Sequence, residues 1–350
     1  MQSAKKKHNV ELSCANVYPA FEKQGSPIVF ESSGYFVPYL SIALQTIIDH
    51  VCPEENYDIL ILGDGITSVD QQRILRQAKG YKNISIRFIE PRIEVDRYIN
   101  QARYHYITVN YYRMSLPWLL KNYKTAVNLG ADILLLEDIT PLLKLEFEES
   151  EYLGGAMDLG YIGRLYEDIP WSELNLKKPF EYVNADVMIY HLEAIRRDFD
   201  QDMVMEFWQK YHFQCNEQDA LNKLFDGHKK IIDLRWNTYP ERMTSTKDIL
   251  CTPPKCIAAW RAALRNPALV HFAAVPKPWD YPPVCYGNDW WEVARQSVYY
   301  EEILKRMMQP IQHRIPSLLD MRDTIFPKGS RRRKLFKNIF VKPVRWGLDS

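Results

Sequence analysis

The sequence is short of cysteine, and none of its cysteines lie in a CxxC pair. Six occur in 350 residues, at positions 14, 52, 215, 251, 256 and 285. Their number and spacing exclude a small disulfide-stabilised fold and a zinc ribbon. Cys251 and Cys256 are separated by four residues, two of them prolines, with no histidine cluster nearby. This arrangement favours ordinary reduced cysteines over a zinc site and fits a reducing cytoplasm.

The chain also lacks an excess of either charge and a long apolar run. It has 45 lysines and arginines against 44 aspartates and glutamates, a formal net charge of +1, so no global field indicates binding to nucleic acid. No stretch reaches the roughly 20 apolar residues that span a bilayer. No apolar segment follows Lys5, Lys6 and Lys7. We therefore expect no signal peptide and a cytoplasmic location.

Three common catalytic motifs are missing as well. Gly63-Asp64-Gly65 follows an apolar run, but the further glycine of a dinucleotide site and the lysine of a P-loop are absent. Neither a GxSxG nucleophile elbow nor an HExxH zinc motif occurs. The sequence thereby excludes the nucleotide-binding loops, serine hydrolases and zinc proteases that carry these motifs.

An alternation of strands and helices is what the sequence does contain. The predicted strands cover 27–30, 57–62, 84–89, 152–158, 182–190, 231–234 and 268–272, and the predicted helices cover 39–51, 68–79, 192–211 and 218–225. Ser68 is the expected N-cap of its helix. Residues 31–34 predict a polar loop, and the prolines of 252–285 predict another. Such alternation is typical of an α/β fold with a parallel, doubly wound sheet.

The stretch from Tyr111 to Leu143 carries the most informative residue. Its first half has apolar residues at helical spacing, and its second half, 126–136, is an apolar run interrupted by Gly130-Ala131-Asp132. A carboxylate inside such a run costs several kcal/mol unless it is paired or holds a metal. Open α/β sheets bind ligands beyond the carboxyl ends of their strands. We therefore expect Asp132 at the end of a core strand, in the ligand site.

Polar side chains follow several of the predicted strands. They are Ser33, Asp132, Asp158, Asn184, Asp186, Glu217, Gln218, Asp219, His271 and Lys277. Taken singly, each has an ordinary explanation. A histidine near a strand is usually structural, the acidic residues 217–219 could be the first turn of a helix, and Lys277 could be a solvated loop lysine. Their order and context favour a common site instead.

Taken together, these residues resemble the pattern of glycosyltransferase family 8, the retaining sugar-nucleotide transferases that include bacterial lipopolysaccharide galactosyltransferases. The resemblance covers residues 28–279. Residues 271–279, HFAAVPKPW, resemble the family's HxxGxxKPW signature and are the most specific part. The other similar segments are 28–30 with 39–40 (the first nucleotide-binding strand), 113–142 (arginine, helix, apolar strand, DxD), 183–189 (NxG) and 217–222 (DQDxLN).

The resemblance implies a site for a UDP-sugar and a divalent cation, normally Mn²⁺ and otherwise Mg²⁺. Asp132 and His271 would be metal ligands, and Lys277 would contact the diphosphate and neutralise charge on the leaving UDP. Ser33 and Tyr35 would bind the donor. A diphosphate leaving group is well served by a hard cation with oxygen and nitrogen ligands and by a fixed positive group.

On the sugar side, the resemblance implies that Arg113 and Asn184 surround the hexose, with Asp158 nearer the acceptor. Gln218 would lie close to the anomeric carbon, on the face opposite the leaving group. Asp186 and Glu217 are the acidic residues available as catalytic groups beside Gln218. Because no other carboxylate nucleophile is evident, retention is expected through front-face attack, with a leaving phosphate oxygen helping to deprotonate the acceptor hydroxyl.

The implied fold is of the glycosyltransferase A type (Rossmann-like), with a mixed, mostly parallel sheet flanked by helices. The implied reaction moves galactose or glucose from a UDP-sugar to a hydroxyl of a surface glycan, lipooligosaccharide or glycoprotein, with retention of configuration. Two alternatives stay open. One is a degenerate fold that binds a sugar nucleotide or a partner without catalysis, and the other is transfer without a metal.

Four positions depart from the family pattern. Gly130 stands where the first aspartate of the DxD pair is expected, and Ser33 stands where the first loop has an aspartate. The glycine of the NxG motif is Asp186, and the glycine of the histidine motif is Ala274. Asp186 either replaces the missing carboxylate or forms a local hydrogen bond. Ala274 matters where its backbone needs a positive φ, which costs roughly 1 kcal/mol or more for a residue with a Cβ.

The predicted division of the chain is a polar lead-in at 1–26, a catalytic domain at 27–290 and a helical, basic extension at 291–350. Within the extension, basic residues interleave with aromatic and aliphatic residues such as Phe336 and Trp346 over 328–346. This pattern is typical of an interfacial helix on an anionic membrane surface. The alternative is a solvated tail that packs a few apolar residues on the domain.

Removal of residues 325–350 should abolish partition onto anionic vesicles if the extension binds lipid, since each basic residue near such a surface contributes about 1 kcal/mol. Co-sedimentation with vesicles of neutral and of anionic lipid measures this. The full chain with Arg331, Arg332 and Arg333 changed to Gln is the matched charge control and should bind more weakly. Unchanged partition of the truncated chain would mean that the tail is simply solvated.

Overall fold

A seven-stranded sheet lies at the centre of the protein. The structure, a computed structural model, describes residues 11–13, 16–23, 25–94, 104–164, 174–210, 213, 215–240, 252–273 and 276–314. The strands are β1 (Glu11–Ser13), β2 (Ile28–Ser33), β3 (Tyr57–Asp64), β4 (Ile84–Ile89), β5 (Arg92–Glu94), β6 (Ala126–Leu129), β7 (Ile133–Leu135), β8 (Leu153–Met157), β9 (Val183–Tyr190), β10 (Lys229–Ile232) and β11 (Leu269–His271).

The described part of the chain also contains α-helices. They are α1 (Val37–Ile48), α2 (Ser68–Gln77), α3 (Tyr104–Leu119), α4 (Thr140–Leu143), α5 (Leu159–Arg164), α6 (Leu192–Asp198), α7 (Gln201–Lys210), α8 (Asn216–Leu224), α9 (Pro254–Arg265), α10 (Gly287–Ala294) and α11 (Tyr300–Arg314). In the part of the chain that the structure describes, no helix is both long and apolar enough to cross a bilayer.

The sheet has the strand order β10-β8-β9-β6-β2-β3-β4. Neighbouring strands are parallel except at β9, which is antiparallel to both β6 and β8. The predicted mixed, mostly parallel sheet is therefore confirmed. Because β9 runs the other way, its first residues lie beside the carboxyl ends of β6 and β8.

Strand β2 lies in the middle of the sheet and is covered on both faces. All of its residues from Ile28 to Ser32 are buried, as is usual for a parallel strand with helices on both sides. One core cluster joins β2 and β3 to α3 through Val29, Leu60 and Leu116. Glu31 is the single carboxylate in this buried strand, and its partner lies on α3.

A separate two-stranded antiparallel ribbon is formed by β7 and β11. His271 pairs with Ile133 in its register, and the backbone N–H of Phe272 donates to the carbonyl oxygen of Asp132 at 2.9 Å. The apolar run of 126–136 is thus two strands, β6 and β7, with Gly130 to Asp132 between them. This ribbon holds Asp132 beside His271, although the two are far apart in the chain.

The structure differs from the sequence-based prediction in two helical regions. The segment 252–285, predicted as a loop, contains α9, which begins at Pro254. A proline at the first helical position has no N–H to lose and a suitable φ, so it started the helix here. The predicted helix 192–211 is interrupted at Phe199, whose backbone is extended (φ −133, ψ 141). The side chain of Asp200 accepts from the N–H of Met203 at 2.8 Å and caps the second helix.

Two predicted element ends also differ. Strand β2 continues to Ser33, because residues 28–33 pair in register with β3, so most of the predicted loop 31–34 is strand. The N-cap of α2 is Thr67 and not Ser68: the Thr67 hydroxyl accepts from the N–H of Asp70 at 3.2 Å and donates to the Asp70 carboxylate at 2.7 Å.

The chain divides into two units, Met1–Tyr300 and Glu301–Ser350. The first contains the sheet. Of the second, residues 301–314 are described and continue α11, where Arg306 forms an ion pair with Glu302 one turn earlier. The basic segment 328–346 and its predicted membrane contact lie outside the described residues.

Thr67→Ala should lower the free energy of unfolding by about 1 kcal/mol, the usual cost of losing an N-cap side chain. Ser68→Ala is the matched control, because Ser68 is exposed and an exposed substitution of this kind changes stability by about 0.5 kcal/mol or less. Urea unfolding of both variants measures the difference. A larger loss of stability in Ser68→Ala than in Thr67→Ala would show that Ser68 is the N-cap, as the sequence predicts.

Candidate functional site

The predicted site residues gather at one edge of the sheet, the edge at the carboxyl ends of β2, β6 and β8. Asp132 follows β6, Asp158 follows β8, and Asn184 and Asp186 lie in the first half of β9, which starts at this edge. This is where open α/β sheets bind ligands. The expected position of Asp132 at the end of a core strand is confirmed.

His271 lies at the bottom of the site, with its side chain fully buried. Its Nδ1 is 2.8 Å from the side-chain oxygen of Asn237, which accepts a hydrogen bond and so leaves Nε2 with its lone pair. Nε2 has no hydrogen-bond partner in the structure. A buried polar atom without a partner is costly, so this nitrogen is suited to a ligand. The arrangement matches that of metal-binding histidines, which are oriented through their other ring nitrogen.

Asp132 lies between His271 and Lys277. Its Oδ1 is 3.4 Å from Nε2 of His271, and its Oδ2 accepts from Nζ of Lys277 at 2.5 Å. Lys277 also donates to the carbonyl oxygen of Phe272. Burial alone would raise the pKa of the Asp132 carboxyl, but the positive charges of His271, when its imidazole is protonated, and of Lys277 outweigh burial and hold this pKa well below its usual range. Asp132 is therefore ionised across the physiological pH range.

Asp186 completes a group of three possible metal ligands. Its Oδ1 accepts from the Arg113 guanidinium, and its Oδ2 is 3.7 Å from Nε2 of His271. One ligand atom each from Asp132, Asp186 and His271 lie within 4.8 Å of one another. Two carboxylate oxygens and an imidazole nitrogen are ligands that Mn²⁺ accepts, and carboxylates also suit Mg²⁺. The residues present therefore fit the divalent cation that the sequence predicts.

Arg113, on α3, is bonded to three carboxylates. Its guanidinium donates to Glu31 at 3.2 Å, to Glu217 at 3.0 Å and to Asp186. Burial raises the pKa of Glu31 to about 7 despite the nearby arginine, and burial also raises the pKa of Glu217. The arginine does not outweigh the burial of these two side chains, so Glu31 and Glu217 bind a proton more readily than ordinary carboxylates do.

A hydrogen-bonded network centred on the amide groups of Gln218 and Asn184 lies next to these charges. The side-chain oxygen of Gln218 accepts from Asn184 and from the N–H of Ala185, both at 2.9 Å. Its amide nitrogen donates to Asp158 at 3.1 Å and to the hydroxyl of Tyr182 at 3.0 Å. The side chain of Asn184 in turn accepts from the N–H of Asp186 at 2.9 Å. The orientation of the Gln218 amide is thus determined on both sides.

Two of the positions discussed in the sequence, Ser33 and Tyr35, lie apart from this network. Ser33 ends β2, opposite Asp64 of β3 in the register. Tyr35 is in the short 3-10 turn that follows, where its ring is 61% exposed and meets Phe36 edge-on. Both are at the ligand edge of the sheet. Ala274 lies outside the described residues, so its backbone conformation carries no argument.

Sequence reasoning missed two residues of this site. Glu31 is a carboxylate at the end of the apolar run PIVF. Like Asp132, it could have been identified from its place beside an apolar strand, because a buried carboxylate needs a partner. Asn237 orients His271, but it lies in a polar turn without any pattern. Only the pairing of His271 with Ile133 and its backbone bond to Thr238 bring Asn237 next to the imidazole.

Comparison with known proteins extends to most of the chain. The family model for Glycosyl transferase family 8 matches residues 27–282. General stress protein A of Bacillus subtilis (strain 168) is 28% identical over 227 residues, which are 62% of this chain and 74% of that protein.

Solved structures share the fold at lower identity. The apo structure of the bifunctional glycosyltransferase WbbM aligns with 84% of this chain at a TM-score of 0.73 and 20% identity, and this chain spans only 53% of WbbM. The galactosyltransferase LgtC in complex with donor and acceptor sugar analogs aligns with 78% of this chain and 96% of its own length, at a TM-score of 0.60 and 21% identity. The likeness confirms the predicted glycosyltransferase A-type fold.

Glu31→Gln should make the protein more stable than the wild type at pH 8 but not at pH 4.5. A carboxyl whose pKa is raised to about 7 on folding contributes stability below its unfolded pKa, and this contribution is lost as the pH rises through 7. The relative gain of the variant should reach up to roughly 3 kcal/mol. Urea unfolding across this pH range in EDTA measures it.

The exposed Glu146 gives the matched control, because Glu146→Gln should show no such pH dependence. A Glu31→Gln effect that stays constant between pH 4.5 and 8 would contradict the raised pKa of Glu31.

Proposed function

The chain belongs to glycosyltransferase family 8, and we propose that it transfers galactose or glucose from a UDP-sugar to a hydroxyl with retention of configuration. The observation that carries this proposal is the buried Nε2 of His271, without a hydrogen-bond partner and facing two carboxylates. Lys277 lies beside them, bonded to Asp132. A sugar diphosphate needs both a cation site and a fixed positive group where charge develops.

On the diphosphate side, Asp132 and His271 would hold a divalent cation, Mn²⁺ or Mg²⁺. When bound, this cation would supply Lewis-acid stabilisation of the leaving diphosphate. Lys277 would contribute a charged donor to the same oxygens. Its position is supported by the carbonyl of Phe272 and by the Trp279 ring, whose centroid is 5.8 Å from Nζ. Ser33 and Tyr35 would contact the uridine end of the donor.

On the sugar side, Arg113 and Asn184 would contact the hexose and Gln218 would face the anomeric carbon. The two carboxylates considered as nucleophiles are both engaged. Glu217 is buried and bonded to Arg113, and Asp186 gives one oxygen to the same guanidinium. These bonds support front-face attack, in which a leaving phosphate oxygen takes the proton of the acceptor hydroxyl, over a covalent intermediate.

Asp158 would lie toward the acceptor and hold the amide groups of the site in position. Its Oδ1 accepts from the N–H groups of Gly160 and Tyr161 at 2.8 and 3.2 Å. Its Oδ2 accepts from Asn184 and Gln218 at 3.3 and 3.1 Å. A carboxylate that accepts this many hydrogen bonds is held in a fixed orientation, which suits positioning better than proton transfer.

For the acceptor, we propose a surface glycan, lipooligosaccharide or glycoprotein, handled by the catalytic domain at 27–290 in the cytoplasm. LgtC was solved with donor and acceptor sugar analogs, which supports a sugar donor and a sugar acceptor here. The bifunctional activity of WbbM is not carried over, because this chain spans 53% of that protein.

A screen of UDP release across common UDP-hexoses in the presence of Mn²⁺ tests the proposal. Asp132→Ala and His271→Ala should each lower turnover by at least about 10²-fold, the scale of losing a key electrostatic group, and EDTA should abolish it. Asp49→Ala and His228→Ala are matched controls at exposed positions. Wild-type turnover in both site variants would refute the site.

Titration calorimetry with UDP separates the enzyme from the non-catalytic alternative. An active transferase should bind UDP more tightly with Mn²⁺ than without it. Absence of UDP binding at millimolar concentration, together with no UDP release from any donor, would favour a degenerate fold.

A further inference from the structure

Gly130 and Asp186, two positions that depart from the family pattern, are in direct contact. The ladder between β6 and β9 pairs Leu129 with Val187. One step further, the N–H of Gly130 donates to the carbonyl oxygen of Asp186 at 2.8 Å. Position 130, which lacks the aspartate of the DxD pair, is therefore opposite position 186, where the NxG motif has gained one, on two antiparallel strands.

The side chain of Asp186 fills the space that a side chain at position 130 would need. A Cβ added to Gly130 would lie 2.9 Å from Cβ and 3.1 Å from Cγ of Asp186, and 2.8 Å from Oδ1 of Asp132. Separations below 3 Å between such atoms do not occur without movement. With Asp186 in place, any side chain at position 130 would force the neighbouring atoms to move.

Backbone conformation does not explain this glycine. In the described part of the chain, the glycines with a positive φ are Gly65, Gly80 and Gly227, and Gly130 is not one of them. Any residue could adopt its backbone, so the constraint is the lack of space for a side chain. The constraint comes from Asp186 and from the carboxylate of Asp132.

The carboxylate of Asp186 also has one oxygen directed toward Nε2 of His271, where a metal ion would be bound. Its Oδ1 is taken by Arg113, while its Oδ2 is 3.7 Å from Nε2 of His271. Asp132 is divided in the same way: Oδ2 accepts from Lys277, and Oδ1 is 3.4 Å from Nε2. Each aspartate thus gives one oxygen to a basic side chain and turns the other toward His271.

The charge of the site argues against a purely local role for Asp186. Arg113 already has Glu31 and Glu217 as partners, so a third carboxylate is not needed to neutralise it. With Asp132 and Lys277 included, the site has four carboxylates and two cationic groups, so acidic side chains are in excess. An excess of carboxylate oxygens favours a bound divalent cation.

We propose that the metal-binding carboxylate expected at position 130 has been exchanged for one at position 186. Asp186, from the antiparallel strand β9, supplies the metal-binding carboxylate that the first aspartate of a DxD pair would supply, and position 130 is glycine to make room for it. This rests on the proposed function for the presence of the cation at the site. The ligand set is then Asp132, Asp186 and His271, contributed by the turn between β6 and β7, by β9 and by β11.

The experiment compares the full chain with Asp186→Gly, Asp186→Asn, Gly130→Asp and the double variant G130D/D186G. Mn²⁺ binding is measured by calorimetry and by the EPR signal of free Mn²⁺, with and without UDP, and melting temperatures are recorded in EDTA. Both single variants of Asp186 should bind Mn²⁺ roughly tenfold or more weakly. Gly130→Asp alone should melt at a lower temperature, because two side chains compete for one space.

In the double variant, the exchange is reversed. Its melting temperature should rise above that of Gly130→Asp, and its Mn²⁺ affinity should return to within a few-fold of the wild type. Wild-type Mn²⁺ affinity in both variants of Asp186 would overturn the proposal, as would a folded double variant that binds no better than Asp186→Gly. Should the double variant fail to fold, Asp186→Asn decides.

Failure of this inference and failure of the proposed function give different results. Mn²⁺ binding that depends on Asp186, without UDP release from any donor, would support the exchange of metal ligands and contradict the proposed transferase activity. Mn²⁺-dependent turnover that is unchanged in Asp186→Gly would support the transferase activity and contradict the exchange of metal ligands. A wild-type chain that binds no Mn²⁺, with or without UDP, would overturn the exchange.

Discussion

The buried guanidinium of Arg113 is the interaction on which the ligand edge of the sheet depends. It lies on α3 and donates to Glu31 of β2, Glu217 of α8 and Asp186 of β9, so one side chain ties together two strands and two helices. Removing a buried cation from several anions leaves uncompensated charge, which costs several kcal/mol. The same contacts determine where the carboxylates point. The same guanidinium therefore links the packing of α3 and α8 on the sheet to the orientation of the site carboxylates.

The antiparallel strand β9 is the second element that determines the site. In a fully parallel sheet, residues at the carboxyl edge come from strand ends and the loops after them. Because β9 is reversed between β6 and β8, residues near its start lie at that edge as well. Asn184 and Asp186 can thus face Gln218 and His271 while remaining in a strand. The strand backbone and nearby side chains set their positions: the carbonyl oxygen of Asp186 accepts from the N–H of Gly130, and the N–H groups of Ala185 and Asp186 donate to the side chains of Gln218 and Asn184.

Much of this could be predicted from the sequence where a local pattern carried the information. The strand 84–89 was predicted with its observed bounds, and the buried carboxylate of Asp132 indicated the ligand edge. The helix at Pro254 was missed because proline starts helices as well as ending them. The contact between Gly130 and Asp186 could not be predicted, since it depends on the direction and register of β9. Sequence reasoning found both residues but left open whether Asp186 replaces the missing carboxylate or bonds locally.

The charge balance bears on whether such a site could act without a metal. In a metal-independent transferase, Lys277 and Arg113 would have to neutralise the diphosphate themselves. Lys277 is bonded to Asp132, and Arg113 is shared among three carboxylates. Their positive charge is already used within the protein, and the surplus of carboxylates would repel a diphosphate. Under the proposed function, a divalent cation held by these carboxylates would reverse the sign of this potential beside the leaving group. The carboxylates that would repel a bare diphosphate are thus the groups that would favour a metal–diphosphate complex.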